Sequence, residues 1–130
     1  MDAIFDRTEQ DIIEKTSKAY LNASDLNRIE NNCVELADLL GVTGLKIKTD
    51  WKRLDFPDTG ELQRIIENVA DLREAWHTYP DTPQIPEGMR QWQQLNDLER
   101  ILWDVYRLRV DNNNSVSYSG EFFAGERGLL

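Results

Sequence analysis

A short pattern recurs three times along this chain at a constant interval, and it limits the fold more than any other feature. Asp25-Leu26-Asn27-Arg28-Ile29, Glu61-Leu62-Gln63-Arg64-Ile65 and Asp97-Leu98-Glu99-Arg100-Ile101 align without gaps, with Leu26, Leu62 and Leu98 spaced 36 residues apart. Each copy then carries Asn32, Asn68 or Asp104, next Cys33, Val69 or Val105, and closes on Leu36, Leu72 or Leu108. Self-similarity at such a period marks a repeated supersecondary unit that buries its apolar face against its neighbours.

Within a copy the apolar residues stand at i, i+3, i+7 and i+10, which puts them on one face of an α-helix. The spacing predicts helices near 25–40, 60–77 and 88–109. The acid three residues before the arginine and the Asn or Asp four residues after it share the polar side, where such pairs contribute ~0.2–0.5 kcal/mol each. The row of Arg28, Arg64 and Arg100 therefore reads as a solvated ladder in preference to an anion clamp.

Local signals set the ends. Ser24 and Thr59 are placed to cap first-turn amides, Gly41 follows the first helix as a C-cap, and Pro86-Glu87 suits the first turn of the third. Thr8-Glu9-Gln10-Asp11 reads as a capped start for a further helix over about 8–20. The expected fold is mainly α, a small bundle or array of about four amphipathic helices with long ordered loops. Residues 1–110 would form the helical domain and 111–130 an extended or β C-terminal tail.

The connections are unlike one another. Residues 41–58 form a long gap in which Leu45-Lys46-Ile47-Lys48-Thr49 alternates as a short strand would, followed by Trp51, Leu54 and Phe56. Trp51 and Phe56 are expected to cap the end of the core. Residues 77–87 hold Pro80 and Pro83 and should be extended and stiff. Asp111-Asn112-Asn113-Asn114 reads as a polar stop to the third helix. Residues 115–126 beyond it are expected to lie on the bundle or to pair with another chain.

Chemistry is constrained mainly by charge. Twenty-four acidic against 15 basic residues leave a net charge of −9, a field that disfavours nucleic acid and anionic membrane surfaces. Lys46, Lys48, Lys52 and Arg53 could form a basic patch, but Asp50 and Asp55 sit among them. No apolar run approaches the ~20 residues that span a bilayer, and the start lacks a signal-peptide pattern, so a cytoplasmic beginning is expected. Cys33, the single cysteine, falls on the apolar face of the first helix as a buried thiol. His77, the single histidine, lies past a helix end, where it would meet the helix dipole. Asn22-Ala23-Ser24 matches a glycosylation acceptor only incidentally without secretion. No convergent cluster of nucleophile, base or metal ligands is legible, so no catalytic residue, metal or cofactor is assigned and the chain is not expected to be an enzyme.

The third helix carries apolar residues far round its circumference, adding Trp92, Leu95, Leu102, Trp103 and Tyr106 to the repeat face. Such a helix is either central or covered by a partner. Trp92, Trp103, Tyr106, Tyr118, Phe122 and Phe123 are the candidate contacts for other protein chains, a second copy included.

Phe5-Asp6-Arg7-Thr8-Glu9-Gln10-Asp11, Tyr20-Leu21-Asn22-Ala23-Ser24-Asp25-Leu26-Asn27-Arg28-Ile29-Glu30, Thr49-Asp50-Trp51 and Tyr118-Ser119-Gly120-Glu121 together resemble a helical module of phage and prophage proteins from Gram-positive bacteria. That module occurs within or beside tail-associated minor structural proteins, and the resemblance runs from about residue 4 to 126. It implies a non-catalytic virion or tail component assembled in the bacterial cytoplasm, acting through contacts with other tail proteins, with no catalytic or metal residues to carry over. A cytoplasmic adaptor or regulatory interaction domain is the alternative that the residues leave open.

Overall fold

The computed structural model describes residues 1–13, 22–53, 55, 57–89 and 91–118, with side chains described for all of these except 12, 13 and 112–118. The described residues are mainly helical: α1 (Glu9–Ile13), α2 (Ala23–Leu40), α3 (Thr59–Glu74) and α4 (Trp92–Tyr118). The long helices α2, α3 and α4 pack pairwise into a three-sided bundle. Only five residues of the helix expected over 8–20 are helical among those described, and 14–21 lie outside them.

The repeat builds the core as its spacing requires. Leu26, Ile29, Cys33 and Leu36 from α2 meet Leu62, Ile65, Val69 and Leu72 from α3, and Leu98, Ile101 and Val105 from α4, all buried. Only Leu108 among the stripe positions is half-buried, because it lies near the end of the packed part of α4. Leu95 and Leu102 are also buried. With them α4 turns a wide apolar face to both other helices, while Trp92, Trp103 and Tyr106 stay half-buried, so the core takes up only part of its apolar breadth. Truncating one of the buried leucines or isoleucines to Ala should cost about 2–5 kcal/mol.

The starts of α2 and α3 are capping boxes, each formed one or two residues before the residue expected to cap it. Asn22, not Ser24, caps α2: its side chain accepts the Asp25 N–H, and Asp25 accepts from the Asn22 N–H in return. Asp58, not Thr59, does the same for α3 with Glu61. The acid opening each of these two motifs is thus the third residue of its helix, closing the box. At the other end of α2, Gly41 takes a φ of 72° and donates to Ala37, the left-handed cap that glycine adopts without strain.

Two boundaries depart from expectation. Helix α4 begins at Trp92 rather than near 88, since the fully buried Met89 feeds the core from the non-helical stretch before it. The helix also continues through Asp111–Asn114 to Tyr118. Asparagine is a weak helix former but no breaker, and the first glycine after this stretch is Gly120. Residues 119–130 of the expected tail lie outside the described residues.

Candidate interaction surface

No strand forms at Leu45–Thr49 or elsewhere among the described residues. The backbone there is instead held by side chains of two helices. Lys46 O accepts from Asn68 Nδ2 at 2.8 Å and from Arg64 Nη1 at 2.6 Å. The Lys48 N–H donates to Glu30 Oε1 at 2.9 Å. Asn27 grips both backbone groups of Trp51, accepting its N–H at 2.8 Å and donating to its carbonyl at 2.9 Å. Trp51 Nε1 donates to the other Glu30 oxygen, and Arg64 forks onto the same carboxylate. A strand partner is unnecessary because these groups satisfy the ladder.

Residues 2–7 are held in the same way. Asp2 O accepts from Asn32 Nδ2, and the Ile4 N–H donates to Glu99 Oε1 at 3.1 Å. Asn96 accepts the Arg7 N–H at 3.0 Å and donates to the Arg7 carbonyl at 2.9 Å. Arg7 Nη2 reaches Glu99 Oε2 at 2.8 Å, where Arg28 also forks onto the carboxylate at 2.7 Å through both Nε and Nη2. Just after each segment the same turn follows, with Asp11 accepting the Thr8 N–H and Asp55 the Lys52 N–H. Residues 2, 4, 7, 8 and 11 thus play the parts of 46, 48, 51, 52 and 55, each 44 positions on. In both, an Asn and a Glu three residues later on a helix clasp one segment residue.

The third connection is a partial version. Thr82 and Asp104 stand 36 residues after Lys46 and Asn68, and the Thr82 hydroxyl donates to Asp104 at 2.6 Å. Ile66 occupies the place of Glu30 and is buried in the core, so Arg100 finds no carboxylate there. It turns to Asp104 and to Asp81, both at 3.1 Å, and is one-third exposed. Arg73 donates to the Pro83 carbonyl and holds this segment from α3.

Arg28 and Arg64 are therefore not part of a solvated ladder, whereas Arg100, one-third exposed, pairs along its helix with Asp104 as the motif spacing allows. Arg28 and Arg64 neutralise the buried carboxylates Glu99 and Glu30 across helix boundaries. Asp25 and Arg28 do pair along α2 at 2.6 Å, as the motif spacing allows, with Arg7 as a third member. Burial works against the charge of Arg28, but Glu99 and then Asp25 more than reverse this, so its pKa is raised. Arg64 is raised chiefly by its hydrogen bond to Glu30. Cys33 is buried beside this cluster, as its helical position predicts, and burial followed by the charge of Glu30 pushes its thiol up to about 12.

Among the described aromatic side chains, three gather beside α4. Trp103 and Tyr106 stack with ring centroids 5.7 Å apart, and Phe5 leans on Trp103 at 6.4 Å. Arg107 lies over the Trp103 ring at 5.8 Å. Phe5 is 38% exposed, and Trp103 and Tyr106 are half-buried. The structure thus brings Trp103 and Tyr106 together and adds Phe5, which periodicity within one helix could not reveal. Trp92 is half-buried at the first turn of α4 and has no part in this ridge. Tyr118 ends α4 with its side chain undescribed, and Phe122 and Phe123 lie outside the described residues.

Other expectations resolve individually. Trp51 is a core residue, 5% exposed, whereas Phe56 lies outside the described residues. His77 stands three residues past α3 with its ring against Trp76, 5.0 Å between centroids. Lys48 pairs with Asp50 at 3.1 Å, so the basic cluster is a mixed surface. Among the described residues no His, Cys, Asp and Glu grouping could hold a metal ion, and no helix is long and apolar enough to cross a membrane. Comparison with known protein families, with curated proteins and with solved structures found no match to this chain.

Proposed function

We propose that this protein is a non-catalytic structural module of a phage or prophage particle, built into a tail or tail-associated assembly and acting through protein–protein contacts. The observation that carries the interaction reading is the ridge of Phe5, Trp103 and Tyr106 on a rigid frame. Large aromatics at the surface, pinned by neighbours and flanked by charge, are the residue types that anchor interfaces. Clasping both extended segments to the bundle lowers the ordering cost of presenting that ridge. The phage assignment is supported by the resemblance in residues 4–126, and Phe122 and Phe123 are further candidate contacts with other chains.

Particles induced from the bacterium that carries the chain, labelled with antibody against it and imaged in negative stain, test the assignment. Label at the tail is expected; label on no particle overturns it. Retrieval of one stoichiometric cytoplasmic partner in its place would favour an adaptor using the same ridge.

A further inference from the structure

The two clasped segments each have an inner and an outer edge, because successive residues of an extended chain direct their N–H and C=O to opposite sides. On the inner edge the Asp2 carbonyl and both backbone groups of Ile4 are bonded, as are the Lys46 carbonyl and the Lys48 N–H. The alternate residues are Ala3 and Phe5 in one segment and Leu45 and Ile47 in the other. Among the described residues nothing bonds their N–H or carbonyl groups. A cleft of about 360 Å³ lined by Ala3, Ile4, Phe5 and Asp6 leaves room along the first outer edge. Each outer edge is an open template for another strand.

We propose that residues 2–6 of one copy of this chain pair with residues 44–48 of a second copy, antiparallel, with Ala3 opposite Ile47 and Phe5 opposite Leu45. In that register the unbonded residues of both edges meet and exchange N–H···O bonds. Asp2 then stands opposite Lys48 and diagonal to Lys46, and opposite charges across a strand pair favour it. Pairing of either segment with its own counterpart is disfavoured, because the longest overlap sets Lys46 against Lys48, or Asp2 against Asp6. Residues 46–53 carry four cations against the single acid Asp50 in a chain of net charge −9, so this is the edge that accepts an acidic strand. Lys48 holds Asp50 in an exposed pair, and exchanging it for Asp2 costs little. The Met1 ammonium is drawn to Glu35, 3.9 Å away. Because the two edges differ, each copy uses one edge on each neighbour, and successive copies close into a ring or continue as a filament. Neither edge uses the rings of Trp103 and Tyr106, so copies join in this way whatever binds the ridge.

Sedimentation velocity of the full-length chain measures the association. The weight-average mass should rise with concentration toward about 1 mM at low salt, as for a weak contact between strands. Amide exchange at Ala3, Phe5, Leu45 and Ile47 should slow over the same range. Asp2→Lys and Lys48→Glu should each weaken association by about tenfold or more, since each sets like charges opposite one another. The Asp2 side chain is exposed and that of Lys48 is 37% exposed, so both variants should fold. An equimolar mixture of the two should associate as the wild type does, because each variant then meets the opposite charge on the other. A single-chain mass at every concentration, charge variants that associate like the wild type, or a mixture that fails to recover association each overturns the proposal. So does association that is lost in Trp103→Ser with Tyr106→Ser and kept in both charge variants, which would assign the contact to the ridge.

Discussion

Arg64 meets Glu30 across 34 residues of sequence, with Nη1 2.7 Å from Oε1 and Nη2 3.1 Å from Oε2. The carboxylate also accepts the Lys48 N–H and Trp51 Nε1, so one side chain of α2 joins α3 to the segment between them. Glu99 of α4 does the same for α2 and residues 2–7 through Arg28, Ile4 and Arg7. A buried ion pair adds little over a well-packed apolar pair, but losing one member strands the other. The pairs therefore act mainly by choosing where each segment lies.

Glu30→Gln keeps the size of the side chain and removes its charge, leaving Arg64 uncompensated and turning one acceptor into a donor. We expect a loss of roughly 3 kcal/mol in urea unfolding, within the range for breaking buried pairs. Asp50→Asn, which breaks the exposed pair with Lys48, should leave the urea midpoint near that of the wild type. Equal effects at the two sites would show that the Glu30 network has no special role.

Asn27 and Asn96 hold the backbone of Trp51 and Arg7 in the way a neighbouring strand would. Asn27→Ala removes both bonds to Trp51, and a loss of about 1–2 kcal/mol is expected. Amide exchange at Trp51 should accelerate far more than exchange at Ile65 in the core. Uniform acceleration at both would mean that the clasp has no local function and that the whole fold has merely weakened.

Cys33 provides a pH signature. Burial, with the charge of Glu30 adding to it, raises its pKa from an ordinary 9.0 to about 12 in the fold. As pH rises above 9, the unfolded chain releases the thiol proton first and binds fewer protons than the native state, so stability falls with pH. The slope reaches up to ~1.4 kcal/mol per pH unit and disappears below about pH 8. Urea unfolding of the wild type and of Cys33→Ala at about pH 7.5 and 10 separates this from lysine and tyrosine titration. The difference in stability between the two proteins should change with pH; a constant difference contradicts it.

The helices and their core were legible because a stripe such as Leu26, Ile29, Cys33 and Leu36 reports its own burial through spacing alone. The clasps were not, for a reason specific to this chain. Its helices repeat at 36 residues, but segments 2–7 and 46–51 are related by 44, since eight more residues separate Arg7 from Arg28 than Trp51 from Arg64. A comparison without gaps at 36 cannot align them. Asp6-Arg7 and Asp50-Trp51, each followed by an Asp four residues after the Arg or Trp, were the available signal. Arg28 lies on the polar side of its helix, as the spacing predicts, but it is largely covered there because its partner Glu99 comes from 71 residues away. Local pairing rules carry no information about such a contact. The same blindness hid Phe5, which joins Trp103 only because the clasp carries residues 2–7 across α4.

The final prediction separates contact surface from core on one helix. Val105 is fully buried, whereas its neighbours Trp103 and Tyr106 are half-buried on the outer face. Val105→Ala should cost about 1–3 kcal/mol by opening a cavity. The double variant Trp103→Ser with Tyr106→Ser should cost less than a core truncation of comparable size, because part of that surface already meets water. Their effect on assembly should be the reverse. Recovery of the chain in purified particles should fall about tenfold or more for the ridge variant, as for loss of an interface anchor, and stay near wild type for Val105→Ala. Ridge variants that unfold as readily as core variants would place these rings in the core; stable ones that enter particles at wild-type levels would remove the ridge from the interface.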